Sequence, residues 1–158
     1  MTSLSVGRKA PDFELPTDDG NQFRLSEHAD RPVVLYFYPE DDTQGCTIEN
    51  LEFTALSGEF EAAGVTLLGI SPDTIEKHCK FRDKHRLSVT LAADADHKVT
   101  SKYGAWGPKK MFGHEYDGVI RMTFLIASKG KLANIWKVTR IKGHAQAVLD
   151  TARALRGL

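Results

Sequence analysis

The residue best suited to chemistry in this chain is Cys46, which lies where a hydrophobic run ends and a helical pattern begins. The thiolate is the nucleophilic form of cysteine, and the free N–H groups and dipole of a helix's first turn favour such an anion. The preceding acids, Glu40, Asp41 and Asp42, oppose it. We expect their side chains to point into solvent, where screening weakens them. The pattern alone leaves open that Cys46 is a small buried apolar side chain.

Arg121 is the candidate cation for that thiolate. It is a lone charge in the apolar segment GVIRMTFLI, with Ile120, Phe124 and Ile126 around it. A planar guanidinium can donate several hydrogen bonds at once, to a thiolate and to an oxygen substrate. The pattern is equally compatible with an arginine on the outward face of an edge strand.

The second cysteine of the chain is Cys79, in the segment EKHCKFRDK. A thioredoxin-like dithiol oxidoreductase would need a C-x-x-C motif, and Glu49 stands at that offset from Cys46. His78 and His85 could suggest a metal, but on a helix Cys79 is turned about 100° from His78, and no familiar zinc spacing occurs. We therefore expect no metal site at these residues.

Composition narrows the class of protein. The chain has 158 residues, of which 41% are hydrophobic and 27% charged, as is typical of a globular protein with a sizeable core. Lysine plus arginine balance aspartate plus glutamate at 21 each, which argues against a general nucleic-acid or membrane-surface binder. No secretory signal or membrane-spanning run is visible, so we expect a cytoplasmic protein with reduced thiols.

The spacing of apolar residues predicts strands that alternate with helices. Unbroken apolar runs such as VVLYFY are typical of strands buried on both faces, and spacings of three and four predict helices. This order predicts one α/β domain over residues 1–158, with a central mixed sheet flanked by helices. The predicted strands are 33–38, 65–71, 87–94, 119–127 and 131–139, and the predicted helices are 46–63, 72–86, a short helix within 96–104 and a closing helix within 144–158.

Several finer features are also predicted. The segment DDGN (18–21) is a good hairpin turn, and Ser71 is a candidate cap for the second helix. The segment 106–118 is predicted to be an aromatic, glycine-rich loop that lines a pocket, contacts a reductase or only packs. One side of the closing helix is predicted to carry Ala147, Val148, Ala152 and Leu155.

Pro39, Thr43 and Cys46 stand in the P-x-x-x-T-x-x-C arrangement of the peroxiredoxins, within YFYPEDDTQGC. The chain resembles the bacterioferritin-comigratory, or Q-type, branch over nearly its whole length. The resemblance implies a thioredoxin-like fold and reduction of hydrogen peroxide and alkyl hydroperoxides without a cofactor. The similar segments are VGRKAPDFELPTDDG, SPDTIEKHCKFRDKH, KYGAWGPKKMFGHEYDGVIRMTFLI and IWKVTRIKGHAQAVL.

The resemblance also implies roles for four residues. Cys46 corresponds to the peroxidatic nucleophile, Thr43 to the hydroxyl that hydrogen-bonds the peroxide, and Pro39 to the residue that shields the pocket from water. Arg121 corresponds to the cation that steadies thiolate and peroxide together. Donors placed in advance stabilise the charge on the departing oxygen without reorganising. A non-catalytic binding module or holdase on the same fold is the alternative, and the intact set argues against it.

Peroxide attack leaves a sulfenic acid, which a thiol must resolve before further oxidation. Many members of the branch carry the resolving cysteine five residues after the peroxidatic one, where this chain has Leu51. Some place it in the next helix, which is compatible with Cys79. We expect a Cys46–Cys79 disulfide, a thioredoxin-like reductant and a monomer rather than a dimer. The alternative is a one-cysteine peroxidase that uses an external thiol, with Cys79 only packing beneath its helix.

Overall fold

The structure is a computed structural model and describes residues 4–158. These residues form a five-stranded central sheet, two small antiparallel hairpins and four helices. The strands are β1 (Glu14–Pro16), β2 (Gln22–Arg24), β3 (Val33–Phe37), β4 (Thr66–Ser71), β5 (Thr90–Ala93), β6 (Trp106–Met111), β7 (His114–Val119), β8 (Met122–Ile126) and β9 (Leu132–Lys137), and the helices are α1 (Gln44–Ala62), α2 (Ile75–His85), α3 (Lys98–Lys102) and α4 (His144–Leu155).

Strand β3 lies at the centre of the sheet, whose strand order is β5-β4-β3-β8-β9. It pairs in parallel with β4 and antiparallel with β8, and all five of its residues are buried. A strand that is covered on both faces has to be apolar throughout, which explains the unbroken run VVLYF. The predicted α/β fold with a central mixed sheet is therefore confirmed.

Two hydrophobic clusters cover the two faces of this sheet. Val34 and Tyr36 belong to the cluster that contains Phe53 of α1 and residues of α2 and α4. Leu35 and Phe37 alternate with them and belong to the other cluster, which the β1–β2 hairpin and α3 cover. Each fully buried side chain of this size contributes about 1.5–3 kcal/mol. The clusters therefore fix the end of β3 and the position from which the following loop departs.

The predicted loop over 106–118 is wrong, because this segment forms the β6–β7 hairpin. The turn consists of Phe112 and Gly113, both with positive φ (52° and 80°), as a tight two-residue hairpin turn requires. Most of the hairpin is exposed on both faces, so it lacks the apolar alternation by which strands are predicted. Trp106 stacks on His97 with ring centroids 3.8 Å apart, whereas Phe112 is 93% exposed.

The predicted strand over 119–127 is interrupted at its most polar residue. Strand β7 ends at Val119 and β8 begins at Met122, so that Arg121 lies in the break between them.

The predicted DDGN turn is confirmed, because it joins the antiparallel strands β1 and β2. The bounds of the other predicted strands differ from those of the observed strands by at most three residues.

The helices also differ in detail from the prediction. Thr74 rather than Ser71 caps α2, since its hydroxyl accepts a hydrogen bond from the backbone N–H of Lys77 at 3.2 Å. Ser71 is the last residue of β4 and donates its hydroxyl to Asp73 at 2.6 Å. On α4, the predicted positions Val148 and Ala152 are buried with His144, Ala145 and Leu149, whereas Ala147 and Leu155 are exposed.

Candidate active site

Cys46 is the third residue of α1, which starts two residues earlier than predicted. Its side chain is buried, with 1% exposed. The N–H groups of the first residues of a helix have no partner within the helix, and Thr47 is the first whose N–H bonds back to Thr43, at 2.8 Å. Cys46 therefore lies where the backbone favours an anion, as the sequence predicted.

The structure brings Arg121 and Cys46 together. Nη2 of Arg121 donates to Sγ of Cys46 at 3.3 Å, and Nη1 donates to Oε1 of Glu49 at 2.6 Å. The interpretation of Arg121 as an outward-pointing arginine on an edge strand is therefore wrong. One guanidinium is shared between a thiol and a carboxylate, and this fixes its plane.

Gly45 makes this approach possible. A Cβ atom at this position would lie 3.4 Å from Nη2 of Arg121 and 3.0 Å from Cδ1 of Ile141. Those separations are tight, so a larger residue before Cys46 would push the guanidinium or Ile141 aside. The absence of a side chain at Gly45, the second residue of α1, therefore allows Arg121 to reach Cys46.

Thr43 and Pro39 flank the same helix start. Thr43 is the N-cap residue of α1, and its exposed hydroxyl donates to the carbonyl of Glu40 at 2.8 Å. In this arrangement the hydroxyl oxygen retains lone pairs that can accept a hydrogen bond from a peroxide O–H. Pro39 is half-buried, two residues after the end of β3. Both residues are in the same loop, and their roles toward a peroxide remain those implied by the resemblance.

The acids before Cys46 do not all point into solvent as predicted. Glu40 and Asp42 are exposed and pair with lysines of α2 at 2.8 and 2.7 Å. Asp41 is 2% exposed, and this part of the prediction is wrong. Its Oδ1 accepts from the hydroxyl of Tyr38 at 2.7 Å, and its Oδ2 lies 2.6 Å from Nδ1 of His78.

His78 completes this buried network on α2. Its Nε2 lies 2.9 Å from the carbonyl oxygen of Ala92, which can only accept, so Nε2 carries a proton and a second proton is shared between Nδ1 and Asp41. Asp41, Asp73 and His78 place potential metal-ligand atoms within 4.8 Å of one another. Those atoms are already hydrogen-bonded, since Oδ2 of Asp73 accepts from Asp41 N–H and from Ser71. We interpret the group as a structural network between the loop, α2 and β5.

Glu49 is the site residue that the sequence reasoning missed. Its side chain is 1% exposed, and among the described residues its Oε2 has no hydrogen-bond partner. Burial raises the pKa of Glu49 to about 7, because the opposing effect of Arg121 offsets only part of the desolvation. The spacing in the sequence could have identified Glu49 as a site residue, since a residue three positions after Cys46 lies on the same helix face.

Cys79 lies in different surroundings from Cys46. Its Sγ donates to the carbonyl oxygen of Asp18 at 3.6 Å, and Arg82, one turn further along α2, binds the carboxylate of Asp18. Cys79 therefore faces the β1–β2 turn, whereas Cys46 faces Arg121. Both thiols are free, and the structure does not show them in contact.

Solved structures identify the class to which this arrangement belongs. The bacterioferritin comigratory protein of Xanthomonas campestris, whose structures were solved in relation to its alkyl peroxide reduction activity, has a TM-score of 0.86 and 35% identity. That similarity covers 91% of this chain and 92% of the other. A variant of peroxiredoxin Q from Xylella fastidiosa has a TM-score of 0.90 and 29% identity, over 98% of each chain. The fold is thus that of the thioredoxin-like peroxidases, as the resemblance implied.

Sequence comparison gives the family. Residues 6–135 match the AhpC/TSA family. Peroxiredoxin Bcp of Bacillus subtilis is 40% identical over 151 residues, covering 96% of each chain. Peroxiredoxin Bcp of Escherichia coli is 39% identical over 150 residues, covering 95% of this chain and 96% of the other. The chain belongs to the AhpC/TSA family and is a peroxiredoxin similar to the Bcp and Q-type proteins, which makes it a thiol peroxidase.

Within residues 4–158, none of the helices combines the length and the apolar composition that crossing a bilayer requires. The longest, α1, has 19 residues. Its sequence carries four glutamates, at positions 49, 52, 59 and 61.

Replacing His78 by alanine should destabilise the protein strongly, because the carboxyl group of Asp41 would remain buried without the imidazole to which it is hydrogen-bonded. The expected loss in the free energy of unfolding is about 3 kcal/mol. The matched control is His85→Ala on the same helix, whose partner Asp42 is exposed, and its expected cost is below about 1 kcal/mol. Urea unfolding monitored by circular dichroism measures both. Equal losses in the two variants would show that the buried Asp41–His78 pair stabilises the protein no more than the exposed Asp42–His85 pair.

Replacing Glu49 by glutamine keeps an oxygen for Arg121 and removes the ionisable group. The pKa of about 7 in the folded protein exceeds the ordinary value of 4.5. Folding therefore favours the protonated form, and this stabilisation is lost as pH rises through about 7. Relative to Glu49→Gln, the wild type should lose about 2 kcal/mol of unfolding free energy between pH 5 and pH 8. Urea titrations at both pH values test this, with Glu59→Gln, at an exposed position of the same helix, as the matched control. A constant difference for Glu49→Gln would refute the prediction.

Proposed function

We propose that Cys46 is the peroxidatic cysteine, which reduces hydrogen peroxide and alkyl hydroperoxides. The observation that carries the proposal is the 3.3 Å contact from Arg121 Nη2 to Cys46 Sγ at the start of α1. The thiolate sulfur attacks one peroxide oxygen, an S–O bond forms and the O–O bond breaks. The electron pair moves to the departing oxygen, which takes a proton and leaves as water or an alcohol. Cys46 is oxidised to a sulfenic acid, and the peroxide is reduced by the same two electrons.

The surroundings of Cys46 suit this step. Its burial excludes water, and electrostatic interactions are stronger in a medium of low dielectric constant. Glu49 holds one side of the Arg121 guanidinium, so that the other side stays aimed at the sulfur. The hydroxyl of Thr43 and the free N–H groups of α1 are the further groups able to bind a peroxide. Pro39 contributes no N–H to the loop and shields its inner side.

We further propose that Cys79 resolves the sulfenic acid. Its thiolate attacks Sγ of Cys46, an S–S bond forms, the S–O bond breaks and water leaves. The peroxiredoxin Q of Xanthomonas campestris has been solved with either of two cysteines, 36 positions apart, replaced by serine. Cys46 and Cys79 are 33 positions apart, which is shorter by about one helical turn, and this comparable separation is the comparison that favours Cys79 as the resolving thiol.

This second step requires a movement. The α-carbons of a disulfide lie within about 7 Å of each other, and the two thiols have different contacts in the structure. We infer that the first turn of α1 unwinds, which frees Cys46 from Arg121. A dithiol protein of the thioredoxin type would then reduce the exposed disulfide. The separate surroundings of Cys79 favour the alternative of a one-cysteine cycle, in which an external thiol reduces Cys46 directly.

Cys46→Ser should reduce peroxide consumption to the uncatalysed background, because a serine hydroxyl stays protonated at neutral pH. Stopped-flow mixing with hydrogen peroxide or an alkyl hydroperoxide, with a dithiol reductant present, measures the rate. Cys79→Ser is the matched control and should still consume one equivalent of peroxide in the first turnover. Turnover that persists in Cys46→Ser would disprove the assignment of the nucleophile.

Oxidation with one equivalent of hydrogen peroxide and no reductant should produce an intramolecular Cys46–Cys79 disulfide. Intact mass spectrometry would show the loss of two hydrogens, and peptide mapping would locate the bond. In Cys79→Ser the expected product is a sulfenic or sulfinic acid at Cys46. If the wild type also carries oxidised Cys46 and free Cys79, the protein is a one-cysteine peroxidase.

A further inference from the structure

The guanidinium of Arg121 has two acidic partners, the thiol of Cys46 and the carboxyl of Glu49. When both are ionised, one positive charge faces two negative charges in a buried site. Unpaired charge is costly there. A second cation within electrostatic reach would balance the site.

Lys109 on β6 is directed toward that site. It pairs with Tyr116 of β7, and it is half-buried, whereas Pro108 and Lys110 on either side are exposed. A Cβ atom at Gly118 would lie 3.3 Å from Cδ of Lys109, so the side chain crosses β7 at this glycine. Gly118 is closer than Tyr116 to the base of the hairpin, and the lysine stem therefore runs toward the segment that contains Arg121.

The electrostatic environment of Lys109 agrees with this direction. Burial and the positive charge of Arg121 lower the pKa of Lys109, and the negative charge of Cys46 opposes that lowering. In the part of the chain that the structure describes, no carboxylate contributes to this balance. Cys46 is thus the acidic group whose negative charge acts on Lys109, and the lysine stem passes β7 where Gly118 carries no side chain.

We propose that Lys109 is a positioning residue of the peroxidase site, whose ammonium group holds Cys46 as a thiolate while Glu49 occupies half of the Arg121 guanidinium. The proposal rests on the proposed role of Cys46 as nucleophile. Arg121 contacts the sulfur directly, and Lys109 acts through the field of its charge. Its effect falls on the population of thiolate before attack and therefore on the rate of the first step.

The test uses Lys109→Met, which keeps the apolar stem of the side chain and removes its charge. The substitution is made in a Cys79→Ser variant, so that Cys46 is the one remaining thiol. The pH midpoint of the thiolate ultraviolet absorbance should rise by about 0.5 to 1 unit. The second-order rate constant with hydrogen peroxide at pH 6 should fall about three- to tenfold, as expected from the smaller thiolate population. Lys109→Arg should restore most of both values, and Lys110→Met, the exposed neighbour, should change neither.

Three outcomes would overturn the proposal. The first is a Lys109→Met protein with unchanged midpoint and rate constant. The second is an equal effect of Lys110→Met, which would indicate a general surface-charge effect. The third is a slower protein whose midpoint does not move and which Lys109→Arg does not rescue, as expected if only packing is lost. If Cys46→Ser retains activity in the same assay, the proposed function itself fails; if it is inactive, a neutral Lys109→Met result rejects only the role of Lys109.

Discussion

The contact between Arg121 and Cys46 is the interaction on which the rest of the site depends, and strand pairing creates it. The two residues are 75 positions apart. β3 and β8 are antiparallel neighbours, with Phe37 opposite Met122. The end of β3 and the start of β8 therefore lie side by side, and the break before β8 lets Arg121 leave the sheet toward α1. Glu49, one turn along α1, then fixes the second half of the guanidinium.

The loop between β3 and α1 has a second anchor, which limits how the site can open. Asp41 is tied to His78, and His78 is adjacent to Cys79 on α2. Opening the loop at Asp41 would break the buried hydrogen bond between Asp41 and His78, which is costly. If Cys46 moves to meet Cys79, the movement is therefore confined to the residues after this anchor, the first turn of α1. In that case the same network would keep α2 in place while the proposed unwinding of the first turn of α1 takes place.

The sequence predicted the parts of this protein that rest on local pattern. The buried strands, the helix start at Cys46 and the candidate cation Arg121 follow from apolar runs, helical spacing and one charge in an apolar segment. Local pattern does not show which polar side chains are buried. The burial of Asp41 depends on a partner 37 positions away, and the hairpin over 106–118 is exposed, so neither feature shows in the local pattern. The position of Lys109 relative to Arg121 likewise follows from the pairing of β6 with β7, which the local pattern does not show.

The charges around Cys46 suit an uncharged substrate. A peroxide brings no charge to be neutralised, so the site has to stabilise a negative charge that moves from sulfur to the departing oxygen over a short distance. Arg121 already faces the sulfur through Nη2, and with the proposed Lys109 the two cations balance the thiolate and the Glu49 carboxylate. The pKa of Glu49, about 7, adds a further adjustment. When Glu49 is protonated, the two cations act on the thiolate alone, and when it is ionised, they balance two negative charges.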